Sequence, residues 1–188
     1  MEYFETIKCE DKEIFNLDFH NSRIARTIGK NIDLNEYIYP LNSKLLKCRV
    51  TYNDDEILDV SYTEYKKREI RSFKLVFDDE IEYSKKYLDR RNIDKLYNQK
   101  DSADEIIIIK NGLVTDTSIA NIAVYDGENW LTPKNPLLHG TSRQRHLKLQ
   151  NIIEKDLTVD DLKSSKKIAL MNAMIDFDIL VDYSILHL

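Results

Sequence analysis

The chain has 188 residues, of which 42% are hydrophobic and 32% are charged, and its formal net charge is −5 at pH 7. This length allows one or two domains with a sizeable core, and the composition is that of an ordinary globular protein. The acidic balance argues against a protein that binds nucleic acid or a membrane surface, because no basic stretch is long enough to outweigh it. We therefore expect neither nucleic acid nor membrane among its partners.

The cysteines and the first residues indicate a cytoplasmic protein. Cys9 and Cys48 are far apart in the sequence and lack the spacing of metal ligands, so neither a disulfide framework nor a zinc site is predicted. The opening residues, MEYFETIKCEDKE, are too polar for a signal peptide, and no apolar run reaches the length of a membrane span. We expect a protein of the reducing cytosol.

Residues 1–80 predict a small α+β domain that ends at the charge run of residues 78–80. Its helix carries apolar residues near helical spacing, with Asp18 as the predicted N-cap and Gly29 as the predicted stop. His20 and Arg23 lie three residues apart and so share one face, where their residue types favour exposed side chains. The predicted elements are strands at residues 3–9 and 13–16, a helix at 18–30, and a meander of strands at 45–53, 56–65 and 69–77.

Residues 81–188 predict a larger β-rich domain built around a central hairpin. Four isoleucines at positions 106–109 predict a strand buried on both faces, and Asn111-Gly112 is the dipeptide of a type I′ hairpin turn. The other predicted elements are a helix at residues 89–100, a hairpin that turns at 126–127 into a strand at 130–133, a helix at 140–149, strands at 152–157 and 167–173, and a helical turn at 159–162.

The returning strand of this hairpin carries an unusual set of small polar residues. Asp116, Thr117, Ser118 and Asn121 follow closely on a strand that is expected to lie deep in the core. Buried polar groups must find hydrogen-bond partners, so these side chains form either a structural network or the wall of a ligand site. The residue types leave both interpretations open.

Three ordered blocks, DEIIIIKNGLVTDTSIANI, WLTP and LLHGTSR, resemble the core of the class IV aminotransferase family. These are the fold-type IV enzymes that use pyridoxal 5′-phosphate (PLP), and they include branched-chain and D-amino-acid aminotransferases and 4-amino-4-deoxychorismate lyase. The resemblance implies an α+β fold with a small domain at residues 1–80 and a PLP-binding domain at 81–188. It also implies PLP as cofactor, a small amino-group-bearing molecule as substrate, and a homodimer.

The resemblance assigns the reactive amine to Lys86. The segment KYLDR is similar to the K-x-L-N-R of the lyase branch, whose lysine forms the Schiff base, with Asp89 in place of asparagine. Lys86 would be both the amine and the proton shuttle, and Lys85 is the alternative one residue away.

The phosphate anchors implied by the resemblance come from three segments. The arginine of the H-x-x-R segment is Arg23, and its planar guanidinium suits bidentate bonds to phosphate oxygens. Backbone groups of Ile119 and Ala120 would contribute, as would Thr141 and Ser142 at the start of a helix, where unpaired N–H groups favour anions.

Asp116 falls where most relatives have glutamate, and its implied role is to keep the pyridine nitrogen protonated. Because aspartate is one methylene shorter, either the cofactor lies closer to this strand or a water bridges the gap. Arg91 stands where aminotransferases carry a tyrosine that contacts the cofactor. The implied substrate-binding segment, which resembles the family's N-A-[LM], consists of Asn172, Ala173 and Met174.

Three functions remain open at this point. The K-x-L-[ND]-R and N-A-M segments favour 4-amino-4-deoxychorismate lyase-like chemistry, an amino-acid aminotransferase of the branched-chain or D-amino-acid type is the alternative, and a catalytically silent relative is the third. The chain is shorter than most relatives, which puts the substrate pocket in doubt rather than the cofactor site.

A homodimer would use the strands of the small domain, whose apolar rows are expected to face their own core: Leu46, Cys48 and Val50, and then Leu58, Val60 and Tyr62.

Overall fold

The computed structural model describes residues 1–186, which form two compact units. The first unit contains residues 1–67 and 85–89, and the second contains residues 68–84 and 90–186. This division differs from the predicted one at residue 80, because the chain enters the second unit at residue 68 and returns to the first for five residues.

The first unit is a four-stranded antiparallel sheet with one α-helix. The strands lie in the order β2-β1-β3-β4. The elements are β1 (Tyr3–Glu10), β2 (Glu13–Ile14), α1 (Leu17–Ile28), a 3-10 helix (Leu34–Glu36), β3 (Leu46–Tyr52) and β4 (Ile57–Glu64). The predicted helix and its stop are confirmed, since Gly29 ends α1 with φ of 73°, in the left-handed region that glycine tolerates. The predicted N-cap is wrong, because Asn16 occupies the N-cap position, without a side-chain capping bond, and Asp18 lies in the first turn of the helix.

The inward row of β3 is confirmed, since Leu46, Cys48 and Val50 are buried in the core of the first unit. Cys48 lies there with Cys9 of the neighbouring strand β1. Both cysteines are free thiols. Two residues that are distant in the sequence are thus brought together by the antiparallel pairing of their strands.

The inward row predicted for β4 is wrong at its first residue, because β4 contains a bulge. Thr51 of β3 pairs with Asp59, and its neighbour Tyr52 pairs with Ile57, so that Leu58 is the extra residue. Leu58 is 43% exposed, and Ile57 packs against the core in its place. The alternation of side chains along a strand is shifted by one residue at a bulge.

The second unit is built on a nine-stranded sheet. The strands follow the path β10-β9-β8-β7-β6-β5-β13, and β11 pairs with both β8 and β12. The elements are β5 (Ser72–Phe77), α2 (Arg91–Tyr97), β6 (Glu105–Lys110), β7 (Leu113–Thr117), β8 (Asn121–Tyr125), β9 (Trp130–Pro133), α3 (Thr141–Lys148), β10 (Ile153–Lys155), α4 (Val159–Ser164), β11 (Ile168–Met171), β12 (Asp178–Leu180) and β13 (Ser184–Leu186).

The third strand of the predicted meander is wrongly placed. It corresponds to β5, which runs parallel to β6 in the second unit, with Phe73 opposite Glu105 and Phe77 opposite Ile109. Phe73 is fully buried in the core of that unit. The local sequence of β5, with polar residues beside it and both polar and apolar residues within it, is compatible with either sheet. Its pairing with β6 determines that it belongs to the second unit.

The central hairpin is confirmed. All four isoleucines of β6 are fully buried, and Asn111 and Gly112 have φ of 51° and 75°, as a type I′ turn requires. The returning strand β7 is shorter than predicted and ends at Thr117. Asn121 therefore belongs to the next strand, β8, where it pairs with Asp116.

The helices of the second unit agree with their predicted positions. Thr141 opens α3 directly after Gly140, and α2 buries Ile93 and Leu96. Across residues 1–186, no helix has both the length and the apolar character needed to span a membrane.

Candidate functional site

Arg23 and His20 lie on α1 and face a carboxylate of β1 inside the first unit. Arg23 Nε donates to Glu5 Oε1 at 2.8 Å, its Nη2 donates to Glu5 Oε2, and His20 Nδ1 lies 2.6 Å from Glu5 Oε2. Glu5 and His20 are fully buried, and Arg23 is only 6% exposed. The interpretation of His20 and Arg23 as surface residues is therefore wrong.

The electrostatics of this cluster favour an ionised Glu5 and a neutral His20. Burial raises the pKa of Glu5, but the charge of Arg23 and the hydrogen bonds of His20 and Arg23 outweigh it and lower the pKa to about 2. Burial lowers the pKa of His20 despite the neighbouring carboxylate. His20 Nε2 is buried and has no hydrogen-bond partner within residues 1–186.

Sequence reasoning missed Glu5, which holds Arg23 in place. The signal was present, because Glu5 stands between Tyr3 and Ile7 in the inward-facing row of β1. A charged residue in an otherwise apolar row requires a buried partner of opposite charge. The identity of that partner, 18 residues further on, was not visible in the pattern.

Lys86 and Lys85 point to different surroundings within the first unit. Lys86 is half-buried, and its Nζ lies 4.6 Å from the centre of the Phe4 ring. Its positive charge also contributes to the lowered pKa of His20, which places it near the Glu5 cluster. Lys85 Nζ instead donates to the carbonyl oxygen of Thr27 at 2.8 Å, near the end of α1.

In the second unit, the buried polar residues form a hydrogen-bonded network around Asp116. This side chain is 4% exposed. Its Oδ1 accepts from Asn121 Nδ2 at 2.6 Å, and its Oδ2 accepts from the Leu138 N–H at 2.9 Å. Burial raises the pKa of Asp116 to about 7, although the Leu138 N–H, Asn121 and the charge of Arg143 all favour the ionised form. The carboxyl group is thus poised to change its charge near neutral pH.

The loop of residues 118–120, between β7 and β8, has its amide donors engaged. The Ala120 N–H donates to Thr117 Oγ1 at 2.9 Å, and the Ile119 N–H donates to the same oxygen at 3.3 Å. The Ser118 N–H donates to Glu105 Oε1 at 3.3 Å. To bind a phosphate, the amides of Ile119 and Ala120 would have to exchange Thr117 for the ligand.

Thr141 and Ser142 form the first turn of α3, and both are buried. Within the described part of the chain, neither hydroxyl group has a hydrogen-bond partner. Hydroxyl groups without a protein partner at a helix N-terminus are well suited to an anion.

The side chain of Asn172 is engaged by its own surroundings. Its Oδ1 accepts from the N–H groups of Met174 and Ile175 at 3.0 and 3.2 Å, and its Nδ2 donates to the Ile119 carbonyl at 3.3 Å. Asn172 therefore ties the turn of residues 172–175 to the loop of residues 118–120. Ala173 lies in that turn between Asn172 and the buried Met174.

Each unit supplies some of the groups that PLP requires. The first unit supplies a half-buried lysine and a buried arginine, and the second supplies a buried carboxyl group and hydroxyl groups at a helix N-terminus. An amine, a phosphate anchor and a carboxylate are the groups that PLP chemistry needs from a protein.

The comparisons with known proteins identify the family. The model of the amino-transferase class IV family matches residues 86–177. An uncharacterized protein of Haemophilus influenzae is 38% identical over 182 residues, which cover 91% of this chain and 96% of that protein. The crystal structure of a protein from Haemophilus somnus 129pt, provisionally named a 4-amino-4-deoxychorismate lyase, is 34% identical with a TM-score of 0.85 and covers 92% of this chain and 96% of its own.

These matches show that the chain belongs to the class IV aminotransferase family. The predicted α+β fold of fold-type IV architecture is confirmed. A hypothetical aminotransferase of Mycobacterium tuberculosis in its PLP-bound form has the same fold, with a TM-score of 0.77 at 16% identity, over 97% of this chain and 81% of its own.

Proposed function

We propose that this protein is a PLP-dependent enzyme that acts on a small amino-group-bearing molecule, with chemistry like that of 4-amino-4-deoxychorismate lyase. The observation that carries the proposal is Asp116, a buried carboxyl group whose two oxygens are held by Asn121 and the Leu138 N–H. Burial raises the pKa of this carboxyl group to about 7, and a protonated ring nitrogen beside it would favour the ionised carboxylate that PLP chemistry needs.

When bound, PLP supplies an aldehyde that reacts with amines and a ring that withdraws electrons from the substrate's α-carbon. Lys86 is the amine that would hold the cofactor, and it would also move the proton at the α-carbon. The segment KYLDR supports this assignment, and Lys85 Nζ donates to the Thr27 carbonyl near the end of α1. Asp116 would carry the negative charge that keeps the ring nitrogen protonated.

The phosphate would be held by hydroxyl groups and a positive charge. Thr141 and Ser142 are the best-supported anchors, because they lie in the first turn of α3 and their hydroxyl groups have no hydrogen-bond partner within residues 1–186. Arg23 would contribute from a guanidinium that Glu5 holds on two of its nitrogens. The backbone N–H groups of Ile119 and Ala120 remain proposed anchors, but they must first break their hydrogen bonds to Thr117 Oγ1.

The substrate would meet the turn of residues 172–174. Since the amide of Asn172 is engaged within the protein, its proposed part is to shape this turn, which leaves Ala173 and Met174 to offer the contact surface. The preference for lyase-like chemistry is supported by the relative from Haemophilus somnus and by the segment KYLDR.

The first test is reconstitution with PLP followed by absorbance. A protein that binds the cofactor covalently should gain a band at about 400–430 nm, which borohydride removes. A protein that stays colourless after incubation with excess PLP would refute the proposal and would favour a relative that keeps the fold for binding or assembly.

The second test separates the two enzymatic activities. The PLP-loaded protein is mixed with single aliphatic amino acids, and the cofactor is monitored for conversion to its pyridoxamine form. A lyase need not leave nitrogen on the cofactor, so we expect slow conversion, together with consumption of added 4-amino-4-deoxychorismate. Rapid conversion with an aliphatic amino acid would instead identify an amino-acid aminotransferase.

A further inference from the structure

Asn121 of β8 is a buried side chain whose contacts extend beyond the Asp116 carboxyl group that it holds. Its Nδ2 donates both to Asp116 Oδ1 at 2.6 Å and to the Leu138 carbonyl at 2.7 Å. Its Oδ1 fills the space beside Gly140, where an added Cβ would lie only 2.1 Å away. One side chain thus contacts β7, the segment that leads into α3, and the residue directly before that helix.

The glycine at position 140 is required by space rather than by backbone conformation. Gly140 has φ of −65° and ψ of 147°, which any residue adopts. A Cβ at 2.1 Å from a buried amide oxygen is far inside van der Waals contact, so an alanine there would displace Asn121 or the start of α3. Gly140 and Asn121 therefore form a matched pair.

We propose that Asn121 is a positioning residue that fixes the distance between the carboxylate of Asp116 and the first turn of α3. The consequence for the cofactor rests on the proposed function. The ring nitrogen and the phosphate of PLP are held apart by a rigid ring, so the protein groups that meet them must keep an equally fixed spacing. Asn121 would provide this fixed spacing, because its Nδ2 donates both to Asp116 and to the carbonyl oxygen of Leu138, in the segment that leads into α3.

The charged and polar groups that face Asp116 predict what happens when Asn121 is removed. They are Arg143 of α3, Asn121 itself, and the N–H groups of Leu137 and Leu138. Each of them favours the ionised carboxylate, so the loss of the Asn121 donor raises the pKa of Asp116 further. One hydrogen bond to a charged group corresponds to about one to two pH units.

The first experiment follows the Asp116 carboxyl carbon by NMR in the PLP-free protein across pH. Asn121→Ala should move the titration midpoint up by about one to two pH units. The matched control is Thr132→Val, which removes another buried hydrogen bond, from Thr132 Oγ1 to the Ile122 carbonyl, in the same region. The control should keep the wild-type midpoint, and an unchanged midpoint in Asn121→Ala would overturn the proposal.

The second experiment tests the pair by thermal unfolding of the PLP-free protein. Gly140→Ala should lower the Tm in the wild-type background, and the loss should shrink by at least half when Asn121→Ala is also present, because the clashing oxygen is gone. An equal decrease in Tm on Gly140→Ala in the wild-type and Asn121→Ala backgrounds would contradict the close approach of Asn121 to Gly140.

Cofactor binding then separates this inference from the proposed function. If the wild type binds PLP, Asn121→Ala should raise its dissociation constant by about tenfold, and Thr132→Val should not. An equal effect of both variants on PLP would overturn the positioning role. If the wild type binds no PLP, the proposed function fails, and the titration and the unfolding pair still decide whether Asn121 positions Asp116.

Discussion

Asp116 should make the PLP-free protein lose stability as the pH rises from about 4 to about 7. Burial raises the pKa of its carboxyl group from 3.8 to about 7 in the folded state. Below pH 4 the group is protonated in both the folded and unfolded states. Between about pH 4 and pH 7 the carboxyl group of Asp116 loses its proton in the unfolded chain and keeps it in the folded protein, so the free energy of unfolding decreases as the pH rises.

The size of the effect follows from the pKa difference. At 1.36 kcal/mol per pH unit, ionised Asp116 costs the folded protein about 4 kcal/mol above pH 7. That is a large part of the stability of an ordinary domain, which is about 5–15 kcal/mol. Asp116→Asn keeps the shape of the side chain and cannot ionise, so it should remove this pH dependence.

The assay is urea unfolding of the wild type and Asp116→Asn at a series of pH values from 4.5 to 8.5. The difference between their free energies of unfolding should shift by about 3–4 kcal/mol in favour of the variant as the pH rises. Asp182→Asn, at an exposed position, is the control for a lost surface charge. Parallel curves for the wild type and Asp116→Asn would show that Asp116 does not titrate in this range and would refute the reasoning from burial.

Four further predictions concern the lysine, the phosphate anchor, the buried ion pair and assembly. Lys86→Ala should abolish the absorbance band of the PLP-loaded protein while Lys85→Ala keeps it, and the reverse result would move the reactive amine by one residue. Thr141→Val should weaken PLP binding by about 1–3 kcal/mol in a fluorescence titration, because a charged ligand loses a donor, whereas Thr115→Val, which loses its bond to a carbonyl oxygen within the sheet, should not. Glu5→Gln should lower the free energy of unfolding by about 3–5 kcal/mol, since it leaves the buried guanidinium of α1 without its anion, and a change below about 1 kcal/mol would contradict the importance of that ion pair. Sedimentation should give twice the monomer mass of 22.2 kDa, because a partner subunit is the economical way to keep water from the reaction, and an active monomer at micromolar concentration would rule this out.

The local parts of the fold could be predicted from the sequence because short-range interactions decide them. The isoleucines of β6 have no polar face, so they form a strand that is buried on both sides. The Asn111-Gly112 turn depends on two residues that tolerate positive φ, and the stop of α1 depends on Gly29 in the same way. Blocks of local sequence such as LLHGTSR also carry the resemblance to the family.

Predictions failed where the local pattern fits two answers. The strand β5 was assigned to the first sheet, although it pairs with β6 in the second, because an amphipathic strand is compatible with either neighbour. Leu58 was placed in an inward row, because a bulge in β4 depends on the register with β3 and leaves no clear mark in the sequence.

For the candidate site, the sequence by itself determined which chemical groups are present, namely a lysine, an arginine, an aspartate and the hydroxyl groups at the start of α3. Only the tertiary structure decided how each group is held, because the partners lie far away along the chain. Arg23 is buried because Glu5 neutralises it from a strand 18 residues earlier, and Asp116 is fixed by an amide 22 residues later. A buried charge is tolerated only where partners meet it, and those partners converge only once the strands have paired and α1 and α3 have packed against them.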